Sequence, residues 1–240
     1  MTTKRILIAN TKGGCGKTTI ATNITSNYAA LGNVVRLFDH DNQNSSLQWV
    51  NRRPNNISKI HGVDASRRPD NHMTRAWQLR VPAETDVVVV DTPAGIDVTE
   101  LVSMFNRNDF LIIPVLPSPI DIIATAHFIK DILLITRARK KNIKISVVAN
   151  RVRKNTLMFH KLERFLFTLE IPFVTTLRDT QNYAKAIGKG VGIGEMTYSG
   201  VKVDQQQWAP LMRWLDTPVE AVEADITPIF SPEDSLSRSS

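Results

Sequence analysis

The sequence predicts an α/β fold, a single doubly wound, mostly parallel sheet flanked by helices. Short β-branched runs alternate along the chain with longer stretches of helical spacing. Two of those runs, Val87-Val88-Val89-Val90 and Leu111-Ile112-Ile113, are apolar at every position, as strands covered by helices on both faces must be. The size and composition agree: 240 residues with 42% hydrophobic and 22% charged side chains describe a globular domain and exclude disordered or disulfide-stapled classes.

Taken in order, Arg5–Ala9 reads as the first strand and Lys17–Leu31 as the first helix, and Val34–Phe38 is the second strand. The polar, proline-punctuated segment 51–80 is the least regular, with a short strand expected near Ile60 and a helix near Thr74. Asp86–Val90 and Phe110–Pro114 are strands, followed by helices over Thr99–Asn106 and Ile120–Lys141. Ile143–Ala149 and Pro172–Thr175 complete the strands, and Thr156–Thr168, Asn182–Gly188 and Asp204–Leu215 the helices. Residues 1–215 are therefore expected to form one domain, and 216–240, acidic and rich in proline and serine, a partly disordered tail.

Cys15 is the only cysteine, which excludes an intramolecular disulfide or a four-thiolate metal site within one chain and points to a reducing compartment. The N-terminal stretch lacks a cleavage site, and no run reaches the roughly 18 apolar residues of a membrane span, so a cytoplasmic location is expected.

Lys12-Gly13-Gly14-Cys15-Gly16-Lys17-Thr18-Thr19 lies between the first strand and the first helix, where a phosphate cradle belongs. Glycines let successive N–H groups turn inward, and the helix N-terminus adds its positive end. Lys17 then reaches the β- and γ-phosphates, and Thr18 places its hydroxyl on Mg²⁺. The pattern G-x-x-x-x-G-K-S/T would need a glycine where this chain has Thr11. Cys15 occupies a variable position of the loop. With no resolving thiol or general base nearby in the sequence, it reads as a small filler.

Two acidic segments follow. The second strand ends in Asp39-His40-Asp41-Asn42-Gln43, whose acids at i and i+2 point the same way at the carboxyl edge of the sheet, where ligands bind. The strand at Asp86–Val90 runs into Asp91-Thr92-Pro93-Ala94-Gly95. An apolar strand ending in aspartate, paired with the cradle, is the Walker B arrangement that holds Mg²⁺ through water, and Gly95 supplies the following loop with a hinge.

A lysine at position 12 ahead of the paired glycines resembles the deviant P-loop of the ParA/MinD family, within the SIMIBI class of P-loop NTPases. The resemblance covers roughly residues 4–215, most strongly the first 125. It implies that Lys12 reaches across a dimer interface to the partner's phosphates, that Asp41 orients the attacking water, and that Asp39 supports the Mg²⁺ hydration shell. The family's D-x-D-P-Q here has Asn42 in place of proline, which leaves the loop less rigid. Pro114-Val115-Leu116-Pro117-Ser118-Pro119-Ile120-Asp121 resembles its P-x-x-P-S-P-x-D segment, which leads into a helix at the dimer face. Val147–Arg151 resembles its base-contacting strand, with Asn150 reading adenine by donating and accepting together. A guanine site expects N-K-x-D, and Asn150-Arg151-Val152-Arg153 lacks the aspartate, so ATP with Mg²⁺ is the expected ligand.

The formal charge of +7 conceals a contrast: residues 1–215 carry 29 basic and 17 acidic side chains, whereas 216–240 carry one and six. A basic body favours a polyanionic partner. The proline-broken, acidic end is unlike the basic amphipathic helix of MinD-like members, so no stable membrane anchor is expected. Non-specific double-stranded DNA is the expected partner, over a surface drawn from Arg137, Arg139, Lys140, Lys141, Arg151, Arg153, Lys154, Arg178, Lys185, Lys189 and Lys202. By the resemblance, Arg178 is the family's DNA-contacting arginine.

No helix-turn-helix precedes the loop, so operator binding is not expected. The compact form resembles small ParA-type proteins, plasmid ParA-like or carboxysome-positioning McdA-like. The implied activity is slow, partner-stimulated ATP hydrolysis by a nucleoid-associated homodimer, with a cargo adaptor of ParB or McdB type. Two other classes are weighed. Metal-cluster carriers need interface cysteines beyond Cys15. A binding module with a silenced ATPase site would retain ATP unhydrolysed.

Overall fold

The structure, a computed structural model, describes residues 3–67, 74–105, 109–138, 143–153, 156–168 and 171–217. Seven strands form one sheet: β1 (Lys4–Ile8), β2 (Val35–Asp39), β3 (His61–Asp64), β4 (Val87–Asp91), β5 (Phe110–Val115), β6 (Lys144–Val152) and β7 (Phe173–Arg178). Their spatial order is β3-β2-β4-β1-β5-β6-β7, and every pairing is parallel, as the continuous apolar runs foretold. The helices are α1 (Lys17–Ala30), α2 (Ser45–Asn51), α3 (Arg75–Gln78), α4 (Val98–Met104), α5 (Pro119–Ala138), α6 (Leu157–Thr168), α7 (Asn182–Gly188) and α8 (Lys202–Asp216).

Val87 and Val89 face a core built with Ile20 and Ile24 of α1, Ala186 of α7, and Trp208 and Leu211 of α8. Val88 and Val90 face the opposite core, with Leu101 of α4, Phe128 and Ile132 of α5, and Leu162 of α6. A period-2 strand between two apolar layers has no solvent side, so each valine is buried.

The structure adds one helix that periodicity did not reveal. α2 is only seven residues long, too short for a helical stripe to declare itself, and it docks through Trp49, which is fully buried. The expected strand near Ile60 is β3, and the expected helix near Thr74 is α3, whose cap Thr74 accepts a hydrogen bond from the Trp77 N–H. β6 continues past the expected Ala149 to Val152, and β7 past Thr175 to Arg178. The β6–β7 register shifts between Ala149 and Val152, and Arg151 takes a positive φ of 50°. This bulge re-aims the neighbouring side chains at a carboxyl strand end. Of the expected features, Asn106, Arg139, Lys140, Lys141, Lys154 and the tail beyond Thr217 lie outside the described residues.

Candidate nucleotide site

The loop between β1 and α1 is tethered at its start. Asn10 is buried; its amide nitrogen donates to Pro114 O (2.7 Å) and to Thr125 Oγ1 of α5 (3.0 Å), while Asn10 Oδ1 accepts from the Lys12 N–H (3.1 Å). The chain then curls through Gly14 and Gly16, with φ of 74° and 95°, values that L side chains rarely adopt. At Gly16 space is as demanding as conformation: a Cβ would lie 2.0 Å from Asn150 Nδ2. Asn150 Nδ2 instead donates to Cys15 O (2.8 Å), and Asn150 Oδ1 accepts from the Arg151 N–H (2.9 Å). The bulge in β6 thus turns Asn150 into a latch on the cradle.

Lys17 opens α1 and is itself buried. Its ammonium donates only to carbonyls, Asn10 O (3.4 Å) and Lys12 O (3.3 Å), and it forms no ion pair among the described residues. A buried cation without a direct ion pair is costly, and an incoming phosphate is a group that would neutralise it. Thr18 and Thr19 follow in the first turn, half-buried at the mouth. Cys15 is buried, its thiol donates to Lys12 O (3.2 Å), and burial pushes its pKa up, which suits a filler rather than a nucleophile. Gly13 and Gly14 are exposed, leaving the cradle's rim open. On the opposite wall, the Gly95 N–H donates to Thr11 O (3.0 Å), tying the loop after β4 to the cradle.

The metal side assembles at the ends of β2 and β4, where Asp39 and Asp91 are register partners. Thr18 Oγ1 donates to Asp91 Oδ2 (2.8 Å), whereas Asp91 Oδ1 is buried without a partner. Burial, with Asp39 adding to it, pushes the Asp91 carboxyl up to about 7, against the opposing pull of the Thr18 hydroxyl and Lys17. Asp39 is fully buried and occupied by backbone donors: Oδ1 accepts from Asp41 N (3.0 Å), and Oδ2 from Ser46 N (3.0 Å) and Leu47 N (3.1 Å). Its visible work is to cap α2 across the turn. Asp41 is half-buried and accepts from Gln43 N (3.0 Å), an Asx turn that holds the carboxylate at the rim.

A hydroxyl, a carboxylate with an orphaned oxygen and a second carboxylate behind it are hard oxygen donors, and they fit Mg²⁺ held partly through water. Thr18 and Asp91 would hold the ion, which when bound supplies charge neutralisation to the phosphates. Ser46 escaped sequence reasoning, as did Asn10 and Thr125. Ser46 faces Asp91 and lowers its pKa, yet its Oγ sits outside hydrogen-bonding geometry and is buried without a partner.

Lys12 is half-buried, and its ammonium makes no hydrogen bond or ion pair among the described residues. Four of the basic residues expected to meet DNA, Arg178, Lys185, Lys189 and Lys202, divide. Lys185, Lys189 and Lys202 are exposed. Arg178 is engaged: its guanidinium pairs through Nε and Nη2 with Asp204, which is fully buried, and Nη2 also donates to Gly200 O (3.3 Å). Asn182 Nδ2 donates to the same carboxylate (2.6 Å).

The model of the CobQ/CobB/MinD/ParA nucleotide binding domain matches residues 6–193. The chain is 32% identical over 199 residues to the maintenance of carboxysome distribution protein A of Halothiobacillus neapolitanus, covering 81% of this chain and 88% of that protein. Among solved structures, it resembles a putative plasmid partition protein of Borrelia burgdorferi bound to AMPPNP, with a TM-score of 0.65 at 19% identity over 89% of this chain and 100% of that one. The MinD protein of Pyrococcus horikoshii complexed with Mg-ADP gives 0.64 at 15% identity, over 94% and 100%. Apo McdA of Cyanothece gives 0.63 at 13%, over 88% and 100%. At these identities the structural likeness speaks to the fold. The family match carries more, because it runs unbroken from β1 to the turn beyond α7. The chain belongs to the CobQ/CobB/MinD/ParA family of nucleotide-binding domains.

Proposed function

We propose that this chain is an ATPase that positions cargo: ATP closes a homodimer, the dimer binds DNA without sequence preference, and a cargo adaptor of ParB or McdB type stimulates a slow hydrolysis. The observation that carries the reading is the division of labour between two lysines of one loop. Lys17 is buried and folded back onto the cradle's own carbonyls, whereas Lys12 stands at the mouth with no partner in its own chain among the described residues. A free ammonium beside a phosphate site supports a role for Lys12 toward a second molecule's ligand. Exposed Ile120 and Ile123 on α5, whose helix is tied to the cradle through Asn10 and Thr125, support self-association at that edge.

In this reading, the backbone of residues 13–16 and Lys17 bind the β- and γ-phosphates, and Thr18 and Asp91 hold Mg²⁺. Asp41 orients the attacking water, and Asn150 positions the loop and contacts adenine. Lys185, Lys189 and Lys202 face DNA phosphates. The named role of the Halothiobacillus relative makes the carboxysome the first cargo to test. Among the described residues no helix is long and apolar enough to cross a membrane.

The test is sizing by light scattering with ATP, a slowly hydrolysed analogue or ADP, alongside DNA binding at two salt concentrations. Dimers that bind duplex only with ATP or the analogue, with salt-sensitive affinity, are expected. Monomers that ignore duplex in every nucleotide state would overturn the proposal.

A further inference from the structure

Ser46 sits at the start of α2, and the structure holds its backbone firmly. Asp39 Oδ2 accepts from the N–H groups of Ser46 and Leu47, and Asp39 is the register partner of Asp91. The His40 N–H donates to Asp91 O (2.9 Å), closing the same junction from the strand side. The start of α2 is thereby held at the strand end that carries Asp91, and the Ser46 hydroxyl lies close enough to bear on that carboxylate. Thr18 serves one oxygen of that carboxylate and leaves the other, Oδ1, buried and unpartnered, and Ser46 Oγ is likewise buried and unpartnered. Two polar atoms left in this state each cost roughly 1–3 kcal/mol, a cost that a small approach of the two groups would relieve.

We infer that Ser46 is a positioning residue of the cation site, acting through Asp91. Its hydroxyl donates to Asp91 Oδ1 when nucleotide and Mg²⁺ are held, so the carboxylate is gripped from both sides, by Thr18 and by Ser46. The inference rests on the nucleotide and Mg²⁺ reading above. It extends that reading by linking cation occupancy to α2, and so to the turn that carries Asp41, because Ser46 cannot follow Asp91 without moving the helix start.

Ser46→Ala separates this role from a structural one. Removing an unpartnered hydroxyl leaves the unliganded protein melting at or above the wild-type temperature. The affinity for a fluorescent ADP without Mg²⁺ is unchanged. The Mg²⁺ concentration for half-maximal tightening of ADP rises about tenfold, the effect of losing one hydrogen bond to a charged group. An unchanged Mg²⁺ requirement overturns the inference, whether or not the melting temperature moves. If wild-type protein itself shows no Mg²⁺ effect on ADP, the cation reading fails instead, and the two failures are distinct.

Discussion

The phosphate cradle and the basic residues at the end of β7 and around α7 and α8 were read from the same sequence, yet the structure treats them differently. In the cradle, residues far apart in the chain converge: Asn150 bonds the carbonyl of Cys15, Thr18 bonds Asp91, and Asn10 bonds Thr125. On the basic face the lysines stand apart in solvent, and Arg178 is drawn inward to Asp204. A site that must close around a ligand is specified by mutual contacts, whereas the proposed DNA surface would need only charge, so one of its charges can serve the fold instead.

The largest effect that would break this comparison lies in the cradle. Lys17→Ala should weaken nucleotide binding by at least about a hundredfold in fluorescence titration, since it removes the buried charge opposite the phosphates. Retained affinity would mean that the cradle's geometry is decorative. Next comes Arg178→Ala, which leaves Asp204 buried beside Asn182 without its cation. A loss of about 2–3 kcal/mol in denaturant unfolding is expected, below the cost of breaking a fully buried pair because Arg178 is partly exposed. Undiminished stability with a selective loss of DNA affinity would return Arg178 to the binding surface.

His40 sharpens the contrast through pH. Burial, then the guanidiniums of Arg75 and Arg5, push its pKa from 6.5 down to about 4. The folded state therefore refuses a proton that the unfolded chain accepts. This contribution is full above pH 6.5 and is lost as the pH falls from there towards 4. Relative to His40→Gln, wild-type protein should lose about 2 kcal/mol more stability over that window, measured by unfolding at each pH. Parallel profiles would place His40 in solvent. The smallest effects belong to the exposed lysines. Lys185→Ala, Lys189→Ala and Lys202→Ala should each lower DNA affinity about threefold and reduce the salt slope by about one, with unfolding unchanged. A loss of stability at any of them would erase the difference between the two regions.

The sequence was most legible where chemistry is contiguous. Residues 12–19 carry glycines, lysine and threonine in one loop, and Asp91 ends an unbroken valine strand. It was least legible where a polar residue works through a distant partner. Asn10 and Thr125 are separated by 115 positions, Cys15 and Asn150 by 135, and neither pairing leaves a periodic trace. α2 was missed because one buried tryptophan, rather than a stripe, anchors its seven residues.

By itself the sequence determined the layered parallel architecture and the phosphate chemistry, because hydrophobic period and local backbone conformation are encoded by neighbours along the chain. Only the tertiary structure decided that Asp39 caps α2, that Asn150 latches the loop at Cys15 and that Arg178 answers Asp204. Those outcomes depend on which polar groups the closing fold deprives of water. A buried donor or acceptor must then find whatever partner the packing brings within reach.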